Sequence, residues 1–86
     1  MIALITDFGT TDHFIGVVKG VIKKINPETE IIDICHHVSP QSITNSQFIL
    51  KSSYPYFPDG TIFYVVVDPG VGSGRKILII KIQYFL

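Results

Sequence analysis

An aspartate and an arginine flank a glycine-rich stretch in the last quarter of the chain. Asp68 follows the apolar run at residues 65–67, and Arg75 comes after three glycines at alternate positions. A run of valines is typical of a strand buried on both faces, and open α/β sheets bind ligands beyond the carboxyl ends of such strands. A carboxylate beside a guanidinium stays ionised at neutral pH. The pattern therefore predicts a hydrogen-bond acceptor at Asp68, and a plain strand-turn-strand link with a surface ion pair is the alternative.

A second pair of carboxylates lies near the start of the chain. Asp7 follows the apolar run at residues 2–5, and Asp12 follows two threonines. Strand-end carboxylates accept hydrogen bonds from adjacent hydroxyls, which is how dinucleotide-binding folds hold ribose. The pair is a candidate for binding a ribosyl ligand. Structural roles fit equally well, with Asp12 as a helix N-cap and Asp7 as a turn residue.

A cluster of possible metal ligands comprises Asp33, Cys35, His36 and His37. Adjacent histidines point in different directions on an extended backbone, and the usual spacing of zinc ligands is absent. We therefore expect the histidines to hydrogen-bond to loop backbone, and we predict no metal site. No residue nearby marks a partner that would make the Cys35 thiol a nucleophile.

The glycine-rich stretch at residues 70–74 does not predict a phosphate site. Its spacing differs from the dinucleotide-binding fingerprint, and the residues after it are typical of a strand. No helix N-terminus is therefore offered to a phosphate.

Composition limits the classes of protein that the chain can belong to. Its 86 residues form at most one domain, which is short for an α/β fold. The chain has seven basic and seven acidic side chains and no extended basic run, so binding to nucleic acid is unsupported. Charged residues make up only 16% of the chain, compared with about 25% in typical domains. We therefore expect part of the apolar surface to face another domain or subunit.

Three further features concern location. The chain has one cysteine, which fits a reducing compartment, and its first residues form a predicted strand instead of a signal peptide. Its longest apolar run falls short of the roughly 20 residues that span a bilayer. We predict a cytoplasmic protein that does not associate with membranes.

The apolar pattern predicts alternating strands and helices. Predicted strands cover residues 2–5, 30–34, 61–67 and 76–82, and predicted helices begin near Phe14 and after Ser42. The first helix has apolar residues on one face and ends before Pro27. A strand, a helix and a second strand in this order form a βαβ unit with parallel strands. The fold class is therefore α/β, with a parallel sheet between helices in three layers, and the apolar C-terminal residues suggest that the fold is truncated.

Several motifs in a fixed order resemble one known family. They lie at residues 6–12 (TDFGTTD), 16–20 (GVVKG), 25–27 (INP), 32–36 (IDICH), 57–61 (FPDGT) and 67–72 (VDPGVG). Together they resemble the N-terminal part of the S-adenosyl-L-methionine hydrolases (adenosine-forming). These proteins are also called SAM hydroxide adenosyltransferases and are related to fluorinase and chlorinase.

The resemblance implies that water attacks the ribose C5′ of S-adenosyl-L-methionine and that adenosine and L-methionine are released. It assigns Asp68 and Arg75 to the water-activating pair, Asp7 to the ribose hydroxyls and Asp12 to the methionine amino group. Phe8, in the same motif as Asp7, is placed in the substrate site. The related halogenases carry a tyrosine in place of Asp68, so hydrolysis is the preferred reaction. No cofactor is implied, because S-adenosyl-L-methionine is the substrate.

The resemblance also implies parts that these 86 residues do not contain. Family members continue into a C-terminal β-barrel domain and carry a catalytic histidine further downstream. They form a homotrimer, and its interface completes the adenine pocket. Residues 1–86 are therefore expected to be a partial N-terminal α/β domain, with activity that depends on the remainder. Gln41 occupies a loop position where the fluorinase has an aromatic residue. A non-catalytic nucleoside-binding or trimer-forming subunit and a SAM-dependent halogenase are the alternatives.

Overall fold

The structure, a computed structural model, describes residues 1–39, 42–67 and 76–81, the last range as backbone. Strands and helices alternate along the first two ranges. The elements are β1 (Ile2–Thr6), α1 (Phe14–Ile25), β2 (Ile31–Cys35), α2 (Ile43–Ser53), a 3-10 turn (Tyr54–Tyr56), β3 (Ile62–Val67) and β4 (Lys76–Lys81). The predicted α/β class is confirmed, with element ends within a residue or two of the predicted ones.

The four strands form one sheet in the order β2-β1-β3-β4. β1 is parallel to both of its neighbours, whereas β4 is antiparallel to β3. The parallel prediction is thus confirmed for the first three strands, and the fourth strand reverses direction. A crossover between parallel strands needs a dozen or more residues, and the connection at 68–75 is shorter than that.

The two helices lie on opposite faces of the sheet, which confirms the three-layer arrangement. On one face, Ile49 and Leu50 of α2 pack against a core cluster formed by Ile5, Val38, Val65 and Val67. On the other face, α1 lies beside Tyr64, since Val18 and Ile22 of the helix line a groove of about 260 Å³ with that side chain. Residues 64 and 65 alternate between the two faces, as they must on a strand.

Local sequence explains where the helices begin and end. The Ser42 side chain accepts a hydrogen bond from the Asn45 amide at 3.0 Å and so caps α2, as predicted. α1 stops at Asn26, whose extended backbone (φ −141°, ψ 91°) is the conformation favoured before a proline. Neither helix in the described ranges is long and apolar enough to cross a membrane.

Candidate functional site

The turn after β1 lies between the carboxyl ends of β2 and β3. The Asp7 amide donates a hydrogen bond to the Val66 carbonyl at 3.2 Å, and the Gly9 amide donates to the His36 carbonyl at 2.6 Å. Gly9 has φ of +74°, a left-handed conformation that glycine adopts without strain. The turn that carries Asp7 and Phe8 is therefore tied to both neighbouring strand ends, where ligands bind in open α/β sheets.

A chain of side-chain hydrogen bonds runs beside this turn. The Thr6 Oγ1 lies 2.8 Å from Nδ1 of His36, and Nε2 of His36 lies 2.8 Å from Oδ1 of Asp33. The other Asp33 oxygen accepts from Lys19 of α1 at 2.6 Å. Thr6 and His36 are buried, whereas Lys19 and Asp33 are partly exposed. These contacts connect α1, the end of β2 and the end of β1.

A register shift places His36 in this chain. Leu4 pairs with Asp33, but Ile5 pairs with Cys35, so that Ile34 is an extra residue, as in a β-bulge. One position further on, His36 comes level with Thr6. Strict alternation would put residues 33 and 36 on opposite faces of the strand, and the shift puts them on the same face.

The contacts of Asp33 affect its ionisation. Partial burial acts to raise the pKa of this carboxyl. The hydrogen bonds from Lys19 and His36 and the positive charges of these side chains outweigh burial, so the pKa lies below its ordinary value of 3.8. Asp33 is therefore a carboxylate at neutral pH and accepts hydrogen bonds from both partners.

Phe8 lies in the turn after β1, and Asp12 lies two residues before α1. The Asp12 carboxylate accepts a hydrogen bond from the Phe14 amide at 3.0 Å, although the N-cap position that the sequence analysis offered for Asp12 is occupied by His13. The Phe8 and Phe14 rings are 6.1 Å apart between centroids. The predicted substrate-binding residues therefore all lie in the connection between β1 and α1.

The predicted catalytic pair, Asp68 and Arg75, lies outside the described residues, as does Gln41. Val67, the residue before Asp68, is the last residue of β3 and lies beside the end of β1. The assignment of the pair therefore stays a prediction.

The structure differs from the expectation in the partners of both histidine rings. Within the described residues, the ring of His36 bonds to the side chains of Thr6 and Asp33, and not to loop backbone. Nε2 of His37 is 3.4 Å from the Thr10 hydroxyl, and that contact is exposed. In the described part of the chain, no three histidine, cysteine, aspartate or glutamate residues are grouped to hold a metal ion. Sequence reasoning missed the pairing of Asp33 with His36, because it assumed an unbroken strand.

A groove of about 370 Å³ lies at the opposite end of the sheet. Met1, Ile25 and Ile62 are among the residues that line it. These residues begin the strands or end α1, so the groove is remote from the turn that carries Asp7. Among the residues that the structure describes, its lining is mostly apolar, with Asn26 and Thr29 as polar members, and includes no carboxylate.

Comparison with known proteins identifies the family. The model of the SAM hydroxide adenosyltransferase N-terminal domain matches residues 2–86. The chain therefore belongs to the SAM hydroxide adenosyltransferase family, which confirms the resemblance found in the motifs.

Two curated relatives illustrate the range of the family. The chain is 39% identical to the (R)-S-adenosyl-L-methionine hydrolase of Methanocaldococcus jannaschii, over 100% of this chain and 35% of the relative. It is 27% identical to the fluorinase of Actinopolyspora mzabensis, over 98% of this chain and 28% of that enzyme. The chain thus spans about a third of the length of such relatives.

Solved structures show the same fold. An uncharacterized conserved protein from Thermotoga maritima superposes with a TM-score of 0.78 at 49% identity, over 88% of this chain and 29% of that one. A conserved hypothetical protein from Thermus thermophilus gives a TM-score of 0.74 at 34% identity, over 85% and 31% of the two chains. Both likenesses again cover less than a third of the other protein.

Proposed function

We propose that this chain provides the N-terminal part of a site that hydrolyses S-adenosyl-L-methionine to adenosine and L-methionine. The observation that carries the proposal is the position of the turn after β1. Hydrogen bonds to the carbonyls of Val66 and His36 hold this turn between the ends of the two neighbouring strands. This is the position at which open α/β sheets bind nucleotides and related ligands. The identity to relatives named as hydrolases supports the reaction.

In this proposal, Asp7 accepts hydrogen bonds from the two ribose hydroxyls, Phe8 lines the same pocket, and Asp12 attracts the methionine ammonium group. The substrate carries a positive sulfonium and a positive ammonium. Two carboxylates on one short segment favour such a cation electrostatically. The exposed position of Asp12 leaves its carboxylate accessible to a ligand while it also accepts from Phe14.

The chemical step needs little besides a positioned water. The water oxygen forms a bond to C5′, the bond between C5′ and sulfur breaks, and its electron pair neutralises the sulfonium to give the thioether of methionine. The water loses a proton to a base. The leaving group carries its positive charge from the start, so no general acid is needed. We propose that Asp68 orients the water and that Arg75 keeps the Asp68 carboxylate ionised.

The same proposal covers assembly and location. We propose a homotrimer in the cytoplasm that uses no cofactor, with the rest of the site supplied by protein outside these 86 residues. The support is the family membership and, for the compartment, the single cysteine.

A halogenase is the second candidate, because fluorinases are among the relatives. Their identities of 27% and 28% are lower than the 35–39% of the hydrolases. A non-catalytic nucleoside-binding subunit is the third candidate.

One assay separates the three candidates. The chain, joined to the protein that supplies the rest of the site, is incubated with S-adenosyl-L-methionine, with and without fluoride or chloride, and the products are quantified by chromatography. We expect equal amounts of adenosine and methionine and no dependence on halide. Asp68→Asn should abolish the release of adenosine, and Asp59→Asn, in the turn before β3, is the matched control.

Other products would favour the other candidates. A 5′-halogenated adenosine would establish a halogenase. The absence of any product, together with adenosine binding that Asp7→Asn abolishes, would establish a non-catalytic binding subunit. Failure to bind either molecule would refute the proposed site in this chain.

A further inference from the structure

When the His36 imidazole is neutral, the hydrogen bonds around it have one consistent direction. Ionised Asp33 has acceptors alone, so that the Lys19 ammonium and Nε2 of His36 must both donate to it. A neutral imidazole that carries its proton on Nε2 has an acceptor at Nδ1. The Thr6 hydroxyl, 2.8 Å away, therefore donates to Nδ1.

The oxygen of the same hydroxyl is also an acceptor. The Phe8 amide donates to Thr6 Oγ1 at 3.2 Å, across two residues of the turn. Because the Thr6 proton points to His36, a lone pair of the oxygen is left to face this amide. The orientation of one buried hydroxyl thus depends on which nitrogen of His36 is protonated.

We propose that His36 is a positioning residue of the substrate site: through the Thr6 hydroxyl it fixes the turn that presents Asp7 and Phe8 to the ribosyl ligand. This inference rests on the proposed role of Asp7 in binding ribose. His36 acts on the turn at two points, since its carbonyl also accepts from the Gly9 amide. Asp7 lies between the amide bonded to Thr6 and the end of β1, so its backbone has little freedom while both contacts hold.

The inference adds a function to residues that the resemblance left unassigned. Thr6 is 0% exposed and His36 is 6% exposed, so neither ring nor hydroxyl offers a surface to substrate. Their effect on binding is transmitted through the Phe8 amide. The Asp33 contact fixes the imidazole tautomer, in the way that carboxylates orient histidines in many sites.

Nuclear magnetic resonance on the 86-residue chain tests the tautomer directly. In the neutral form of the ring, we expect His36 to show a protonated Nε2 and an unprotonated Nδ1. A neutral ring with its proton on Nδ1 would overturn the proposal, because Nε2 could then not donate to Asp33 and the Thr6 hydroxyl would have no acceptor on His36.

Variants test the effect on binding. Thr6→Val removes the hydroxyl at constant shape, and His36→Gln removes the ring. In both we expect faster hydrogen exchange at the Phe8 amide and about tenfold weaker adenosine binding by calorimetry, the effect of losing one ordering hydrogen bond. Thr6→Ser keeps the hydroxyl, so its exchange rate at the Phe8 amide and its adenosine affinity should match those of the unaltered chain. His37→Gln, at the exposed neighbouring histidine, should change neither.

The outcomes distinguish the two proposals. If Thr6→Val speeds exchange at Phe8 but leaves adenosine affinity unchanged, His36 is purely structural and the inference fails. If the unaltered chain binds no adenosine, the proposed function fails for this chain. The tautomer and the Phe8 exchange rates then still decide whether His36 holds the turn. Thr6→Val gives this test with His36 intact, should His36→Gln prevent folding.

Discussion

The sheet and helix α1 differ in how far their apolar side chains are buried. On the α2 face of the sheet, Ile5, Val65 and Val67 are at most 3% exposed, and on the α1 face, Leu4 and Val66 are at most 2% exposed. The helix α1 itself leaves an apolar stripe in contact with solvent. The stripe consists of Phe14, Val17 and Val21, each 53% exposed, and Ile25, which is 81% exposed. The strands are therefore buried on both faces, while α1 touches the sheet with only part of its apolar surface.

The two helices show that regular apolar spacing and complete burial of the apolar side are separate properties. α1 has the regular spacing that predicts an amphipathic helix, and it forms where predicted. α2 has a weaker pattern, yet its Ile49 and Leu50 pack against the buried core cluster on their side of the sheet. Periodicity thus indicates that a helix forms and which side is apolar, but it does not indicate how completely that side is covered.

The largest expected effect contrasts one side chain of the sheet with one of α1. Ile5→Ala should lower the free energy of unfolding by about 2–5 kcal/mol, because it leaves a cavity in a packed core. Val21→Ala should change it by about 0.5 kcal/mol or less, since alanine favours helix and little burial is lost. Urea denaturation of the 86-residue chain measures both.

Equal losses in the two variants would contradict the comparison, because they would mean that Val21 is buried in solution. Val17→Ala, also 53% exposed, repeats the test on the same side of α1. A cost at both valines would require a partner on this stripe.

A smaller effect is expected at the starts of the two helices. Ser42→Ala should destabilise the chain by about 1 kcal/mol, because the Asn45 amide loses its cap. His13→Ala should have almost no effect, since within the described residues the His13 side chain caps no amide of α1. Thermal unfolding followed by circular dichroism compares the pair. A larger loss for His13→Ala would refute the assigned caps.

The smallest effect concerns the ion pair that links α1 to β2. Lys19→Met should cost about 0.2–1 kcal/mol at neutral pH, because the side chains of Lys19 and Asp33 are 36% and 42% exposed. The contacts that lower the pKa of Asp33 stabilise the folded state fully at pH values above 3.8. This stabilisation is lost as the pH falls through the lowered pKa that Asp33 has in the folded state. Denaturation at a series of pH values should therefore show the cost of Lys19→Met fading in acid. A cost that grows in acid would contradict this assignment.

Most of the fold was predictable because its signals are local. Continuous apolar runs marked the strands, Ser42 marked the start of α2, and Pro27 marked the end of α1. The direction of β4 followed from the length of its connection, but only once β3 and β4 were known to be neighbours. The exposed stripe of α1 was unpredictable in detail, since its cover depends on contacts distant in sequence.

Less of the candidate site was predictable from the residues. The positions of Asp7 and Asp12, one in the turn after a strand and one at a helix start, agree with the sequence interpretation. The chain from Thr6 to Lys19 depends on the one-residue register shift at Ile34, for which the apolar pattern gave no signal. The roles of Asp68 and Arg75 stay predictions.

The central place of β1 has a consequence for biosynthesis. Ile2 pairs with Ile31 on one side and with Ile62 on the other. β1 leaves the ribosome before β2 and β3, so it can associate with β2 early, but its second edge stays open until β3 has been translated. Pairings between residues so distant in sequence form slowly, because a long loop must close before they contribute. A nascent chain stalled before Ile62 therefore exposes one edge of a central, predominantly apolar strand, the kind of surface that chaperones bind and that aggregates form on.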